Sequence, residues 1–169
     1  MTKTSPAPCM TVINTSPAIH LHAVLPGGLG ALPGLIGEII LPWEVAQELD
    51  AGHAKDTTWQ EIQLLPGIIH RSKAVAVHPI LLTQIDLGEA AVIQTALDEA
   101  HDAVILDDLK ARRIALTLGL KVTGTLGILL VARQTGLLPS LTAAIATLEK
   151  RGMWIAPALA AKAIALAGE

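Results

Sequence analysis

Phenylalanine and tyrosine are absent from this 169-residue chain, and its aromatic side chains are three tryptophans. Proteins that read single-stranded nucleic acid by stacking bases need aromatic platforms, so stacking is not expected as a main mode of recognition. Cysteine occurs once, at Cys9, which excludes an internal disulfide framework and a cysteine-based zinc site and fits a reducing compartment. Positive charge is not in excess either. A net charge of −3 gives no global attraction for phosphate, so a general DNA coat protein is disfavoured. Any nucleic-acid contact must come from local basic residues or from a metal bridging carboxylate to phosphate. Long apolar runs are also missing. The stretch near Ile128 to Ala132 is too short to span a bilayer, and the lead Met1 to Cys9 lacks a charged region followed by an apolar run. Neither a membrane span nor a signal peptide is expected, and the cytoplasm is the expected location.

What is present is aliphatic. Hydrophobic residues make up 51% of the chain, dominated by Ala, Leu, Ile and Val, enough for the core of one domain over 1–169. Met10 to Ile13 reads as a strand that ends in Asn14-Thr15-Ser16-Pro17, followed by a helix from Ala18 to Leu25. Pro26 to Gly30 reads as a loop; no Gly-Lys-Ser/Thr follows, so a phosphate loop is not expected. Glu38 to Leu41 is a second strand, and Pro42 opens a helix to about Ala51. Within that helix Glu48 is expected to border the buried face, with Glu44 as its competitor. A helix from Thr57 to Leu65 and a strand at Ala74 to Val77 follow. Leu87-Gly88-Glu89 starts a strong helix running through Ala90 to Ala100. Ala103 to Leu106 is a strand running into Asp107-Asp108, and Leu109 to Leu118 is a helix. Lys121-Val122 is a short strand, followed by helices to about Gly136 and from Ser140 to Arg151, and by an Ala-rich tail after Pro157 expected to dock as a helix on the domain or on a second copy. Strand and helix alternate, which predicts an α/β fold: a mostly parallel sheet with helices on both faces.

Ligands gather outside the carboxyl ends of parallel strands, where Asn14 and the Asp107-Asp108 pair are expected. Glu48 and Glu89 are helix residues that lean toward the same edge, giving Asn14, Glu48, Glu89, Asp107 and Asp108 as one oxygen-rich set. Such a set, without cysteine and without histidine at ligand-like spacing, favours Mg²⁺ or Mn²⁺ over zinc. Carboxylates packed together repel one another unless a cation neutralises them; with one, they can activate water against a phosphodiester. Each residue also has a plainer reading: Asn14 and Asp107-Asp108 as helix caps, Glu89 as a first-turn carboxylate facing the helix dipole. Lys110, Arg112 and Arg113 follow the acidic pair and either meet RNA phosphates or form a solvated helix face. His20 and His22, two apart, are read as structural or surface residues.

Taken in order, the segments Val12-Ile13-Asn14-Thr15-Ser16-Pro17, Leu41-Pro42 through Glu48-Leu49, Asp86-Leu87-Gly88-Glu89-Ala90, Ile105-Leu106-Asp107-Asp108-Leu109-Lys110-Ala111-Arg112-Arg113 and Gly124-Thr125-Leu126-Gly127 resemble the PIN-domain family. They look most like its prokaryotic branch related to the VapC-type ribonucleases of toxin–antitoxin pairs. The resemblance covers about residues 10–157. It implies a three-layer α/β/α sandwich and an acidic Mg²⁺ or Mn²⁺ site that hydrolyses RNA, leaving 5′-phosphate and 3′-hydroxyl ends. It implies that Asn14 takes the place of the first-strand aspartate, Glu48 that of the helix glutamate, Glu89 that of the third acid, and Asp107 or Asp108 that of the last. Thr15, Ser16 and Thr125 match polar residues beside the site and would orient ligands or water. Asn14 is the departure, since an amide oxygen carries one negative charge fewer than the family's aspartate. A metal-dependent endoribonuclease, a toxin with RNA as substrate, a homodimeric state and a protein antitoxin are therefore expected. The alternative is a catalytically weakened module that binds RNA or a partner. A phosphotransfer domain, which needs an aspartate nucleophile after the first strand, is disfavoured by Asn14.

Overall fold

The computed structural model describes residues 10–52 and 57–169; Cys9 and the rest of the lead Met1 to Cys9 lie outside them. The strands are β1 (Met10–Ile13), β2 (Glu38–Leu41), β3 (Ile68–His70), β4 (Ala103–Ile105) and β5 (Lys121–Thr123). They form one sheet in the order β3-β2-β1-β4-β5, and every pair is parallel. In the middle strand Thr11, Val12 and Ile13 are buried one after another, as are Ile39, Ile40 and Leu41 in β2. Successive residues of a strand face opposite ways, so an unbroken buried run means that both faces of the sheet are covered. The architecture is the expected α/β sandwich.

The covering helices are α1 (Thr15–Val24), α2 (Leu32–Ile36), α3 (Trp43–Gly52), α4 (Thr58–Ile62), α5 (Pro79–Leu82), α6 (Leu87–Asp98), α7 (Leu109–Thr117), α8 (Thr125–Gln134), α9 (Leu141–Lys150) and α10 (Pro157–Leu166). Side chains from strands and helices, among them Ile13, Leu21, Ile40, Ile93, Ile105 and Leu129, meet in one apolar cluster. Truncating one such fully buried isoleucine or leucine to alanine would cost about 2–5 kcal/mol. No single helix among the described residues is long and apolar enough to cross a membrane.

The middle third departs from expectation. Ala74 to Val77 is irregular, and the strand lies earlier, at Ile68–His70, where Ile68 pairs with Ile39. Gly67 makes the turn into it with φ of 77°, and a side chain there would meet Pro33 Cγ at 2.5 Å. The alternating Ala-Val pattern of 74–77 finds no sheet edge; the Val75 N–H goes instead to the Glu44 carboxylate at 2.9 Å. The helix expected from Thr57 to Leu65 contracts to α4. Helix α1 begins at Thr15, before the expected Ala18, with Pro17 in its first turn where the missing N–H costs nothing. Part of the Pro26–Gly30 loop forms a 3-10 turn at Gly28–Ala31, and α2 and α5 are further short helices.

The tail docks on its own domain. Helix α10 lies against α8 and α9 with Ala163 buried. Glu169 accepts the N–H groups of Leu141 and Thr142 at 2.8 and 3.0 Å, the open donors at the start of α9, and pairs with Arg133 Nε at 2.6 Å. The donors from Thr142 and Leu141, with Arg133, hold its carboxyl far below the usual range.

Candidate active site

The chain adds β2 and then β3 on one side of β1, crosses through α6, and adds β4 and then β5 on the other. The reversal falls between β1 and β4, and in parallel sheets of this kind the crevice beyond that pair of carboxyl ends is where ligands bind. Asn14 leaves β1 there, its N–H bonded to the Ile105 carbonyl at 3.2 Å, and Asp107 and Asp108 follow β4 by two and three residues.

Asn14 stands at the N-cap position of α1, yet its side chain makes no capping bond. It is 8% exposed, and its Oδ1 is buried without a hydrogen-bond partner. Buried amide oxygens are nearly always satisfied, so this one is an exception that a capping role does not explain.

Asp107 is the opposite case. Its Oδ1 accepts the Thr125 N–H at 2.7 Å and its Oδ2 the Thr125 hydroxyl at 2.6 Å, closing the start of α8 onto the end of β4. His20 Nδ1 lies 3.6 Å from Oδ2, beyond hydrogen-bond length, so that contact is electrostatic and Thr125 is the bonding partner. Burial pushes the Asp107 carboxyl up, but His20 and the two Thr125 donors outweigh it and the net shift is downward. Gly124 makes the close approach possible: a Cβ there would stand 2.7 Å from Arg112 Nη1, 2.8 Å from Asp107 Oδ1 and 3.2 Å from the Leu106 carbonyl oxygen. Arg112, half-buried, donates Nη1 to that carbonyl at 2.8 Å, while Lys110 and Arg113 are exposed.

Asp108 caps α7, accepting the N–H groups of Lys110 and Ala111 at 2.8 and 2.9 Å. Glu89 reaches back to the Asp86 N–H at 3.3 Å, the reciprocal half of a capping box. The plain capping roles of both are therefore real, but they do not account for their surroundings. Burial, then the charge of Asp108, and further those of Asp86 and Glu48, raise the Glu89 carboxyl above its ordinary value against the opposing Asp86 N–H. Glu48 arrives from α3 and accepts a hydrogen bond from the Thr15 hydroxyl. Gly88 lets α6 come this close: a Cβ there would stand 2.5 Å from Glu48 Oε1. Ser16 is exposed beside Thr15, and Thr125 is fully buried.

Two expectations shift. Glu48 is exposed, and the buried glutamate of α3 is Glu44, at 4% exposure. Helical spacing places both near one face, but only Glu44 is drawn in by a donor from a distant loop, the Val75 N–H. His20 was read as structural or surface, and it stands beside Asp107; its spacing to His22 carries no trace of a partner 87 residues away. His22 bonds Glu61 instead, through Nε2 at 2.9 Å.

The oxygen-rich set is therefore gathered around one crevice, but loosely. Among the described residues no group of three or more His, Cys, Asp or Glu side chains is placed to hold a metal ion.

A family model described as a PIN domain matches residues 10–169. PIN domains are generally nucleases, so the fold is of a nuclease type. No curated protein and no solved structure matches the chain.

Proposed function

Because this chain belongs to the PIN-domain family, we propose that it is a divalent-metal-dependent endoribonuclease working at the β1–β4 crevice, and that it serves as the toxin of a cytoplasmic toxin–antitoxin pair. The observation that carries the nuclease reading is the raised carboxyl of Glu89, half-buried and opposed by the charges of Asp108 and Glu48, beside the unsatisfied Asn14 oxygen. A half-buried acid beside other carboxylates is disfavoured in its charged form until a cation is added.

The donors fit a hard, hydrated cation. They are all oxygen, which suits Mg²⁺ or Mn²⁺, and Mg²⁺ commonly rests on one or two carboxylates and keeps several waters. Asn14, Glu89 and Asp108 would hold it, with Glu48 alongside. Asp107 keeps its oxygens on Thr125 and anchors the strand end. A cation held there would supply a Lewis acid for water activation and would offset charge on a phosphate oxygen. The residues do the rest. Thr15 holds Glu48, the Asp86 N–H holds Glu89, and Arg112 fixes the Leu106 carbonyl, so the crevice is positioned before substrate arrives. Exposed Lys110 and Arg113 on the adjoining α7 are suited to RNA phosphates. A homodimer and a protein antitoxin belong to the same proposal.

Asn14 and the loose gathering of acids favour a second reading, a module that binds RNA or a partner and cleaves weakly. The two are separated by incubating single-stranded RNA with Mn²⁺ and wild type or Asn14→Asp. The nuclease reading expects cleavage by wild type that stops on chelation and leaves 5′-phosphate ends. Cleavage by Asn14→Asp alone makes the natural site vestigial, and inertness of both without Mn²⁺ binding rejects the nuclease reading.

A further inference from the structure

A separate cavity is lined by residues outside the crevice, on the same pair of helices. It holds about 340 Å³, at the small end of ligand pockets, and its lining includes Trp43, Glu44, Arg71, Lys73, Asp98 and Glu99. Glu44 sits one turn before Glu48 on α3, and Asp98 roughly two and a half turns beyond Glu89 on α6.

Glu44 is the unusual member. Its Oε1 accepts the Val75 N–H, which clasps the loop after β3 to the first turn of α3. Its Oε2 is buried and has no hydrogen-bond partner. A carboxylate oxygen taken out of water without a donor is strongly unfavourable, so the position is explained if a donor enters from the cavity. One cation of the lining is already spent. Arg71 gives Nε to Glu99 at 2.7 Å and Nη2 to the other oxygen of the same carboxylate, and Glu99 also meets His101 Nε2 at 2.8 Å. Asp98 accepts a hydrogen bond from Gln94 Nε2 at 2.8 Å through one of its oxygens. Beyond the Arg71–Glu99 pair, the lining carries two carboxylates, Glu44 and Asp98, and one exposed lysine, Lys73.

We propose that this cavity is a binding site for a guanidinium or primary ammonium group, with Glu44 Oε2 as its buried acceptor, Asp98 as a second anionic wall and Trp43 as an aromatic wall. A charge-assisted bond to Glu44 satisfies the stranded oxygen, and the anionic and aromatic surroundings both favour a cation. The group arrives either on a free small amine or on an arginine or lysine side chain of another chain. An ordered water is the plain alternative occupant.

Calorimetric titration of the full chain with agmatine, with an end-blocked arginine amide and with inorganic phosphate tests this. Agmatine is expected to bind at one saturable site, with affinity retained in Glu89→Gln and reduced at least about tenfold in Glu44→Gln. Asp98→Asn, at an exposed position, is expected to weaken binding severalfold and keeps the test decisive if Glu44→Gln does not fold. Binding of both cations assigns a side-chain ligand as accessible, and binding of agmatine alone assigns a free amine; either supports the proposal. Absence of cation binding, undiminished binding in both Glu44→Gln and Asp98→Asn, or a preference for phosphate overturns it.

Discussion

The two sides of the β1–β4 crevice treat acidic residues in opposite ways. On the β4–β5 side Asp107 is saturated: two donors from Thr125 and the nearby His20 hold its carboxyl below its ordinary value, and Arg112 occupies the carbonyl just before it. On the α3–α6 side Glu89 has no cationic partner among the described residues, and burial together with the charges of Asp108 and Glu48 raises its carboxyl. Acids around one crevice thus fall into different physical classes. The satisfied Asp107 braces the fold, and the charge of Glu89 is frustrated.

The largest effect should come from breaking the satisfied side. Asp107→Ala strands the N–H and hydroxyl of fully buried Thr125, at about 1–3 kcal/mol for each group, so urea denaturation should show a loss of about 2–6 kcal/mol. Asp108→Ala removes an exposed cap and should cost only about 1 kcal/mol. Equal losses would erase the distinction between the two sides.

Gly124→Ala probes the same brace through packing. The new methyl meets a backbone carbonyl that cannot swing aside as well as the Arg112 and Asp107 side chains, and a loss of about 1–3 kcal/mol is expected by thermal melting.

The smallest effect lies on the frustrated side and has the opposite sign. Because the Glu89 carboxyl is raised in the folded chain, the folded state binds more protons than the unfolded one between the ordinary carboxylate value and the raised one. Its contribution is favourable below that window and is lost as pH rises through it. Asp107 runs the other way: its contribution is present above the unfolded carboxylate value and lost as pH falls through its lowered value. In metal-free buffer Glu89→Gln should therefore gain on wild type as pH rises toward neutrality. The gain is under about 1 kcal/mol, since solvent screens a half-exposed group. A Glu89→Gln protein that loses stability relative to wild type over the same rise would place the repulsion elsewhere.

Much of this fold is legible in the sequence because its strands are short, apolar and end in polar residues. Met10–Ile13 and Glu38–Leu41 fall where the apolar runs place them, and Asn14 and Asp107-Asp108 fall at carboxyl ends as strand–helix alternation requires. The edge strand was harder. Ala74 to Val77 has the alternation of a strand, yet Ile68–His70 takes the edge, announced only by the Pro66-Gly67 turn before two isoleucines. The misplaced details of the site have one cause. Glu44 is buried by a loop 31 residues away and His20 is set beside Asp107 across the crevice, and neither contact leaves a local spacing to read.

The central claim is that the frustrated acids are the working ones, and the rate of Mn²⁺-dependent RNA cleavage by Glu89→Gln against wild type tests it most directly. The account predicts a folded variant, at least as stable as wild type at neutral pH, whose cleavage falls by a factor of about 100 or more. A Glu89→Gln protein that cleaves as fast as wild type would contradict it.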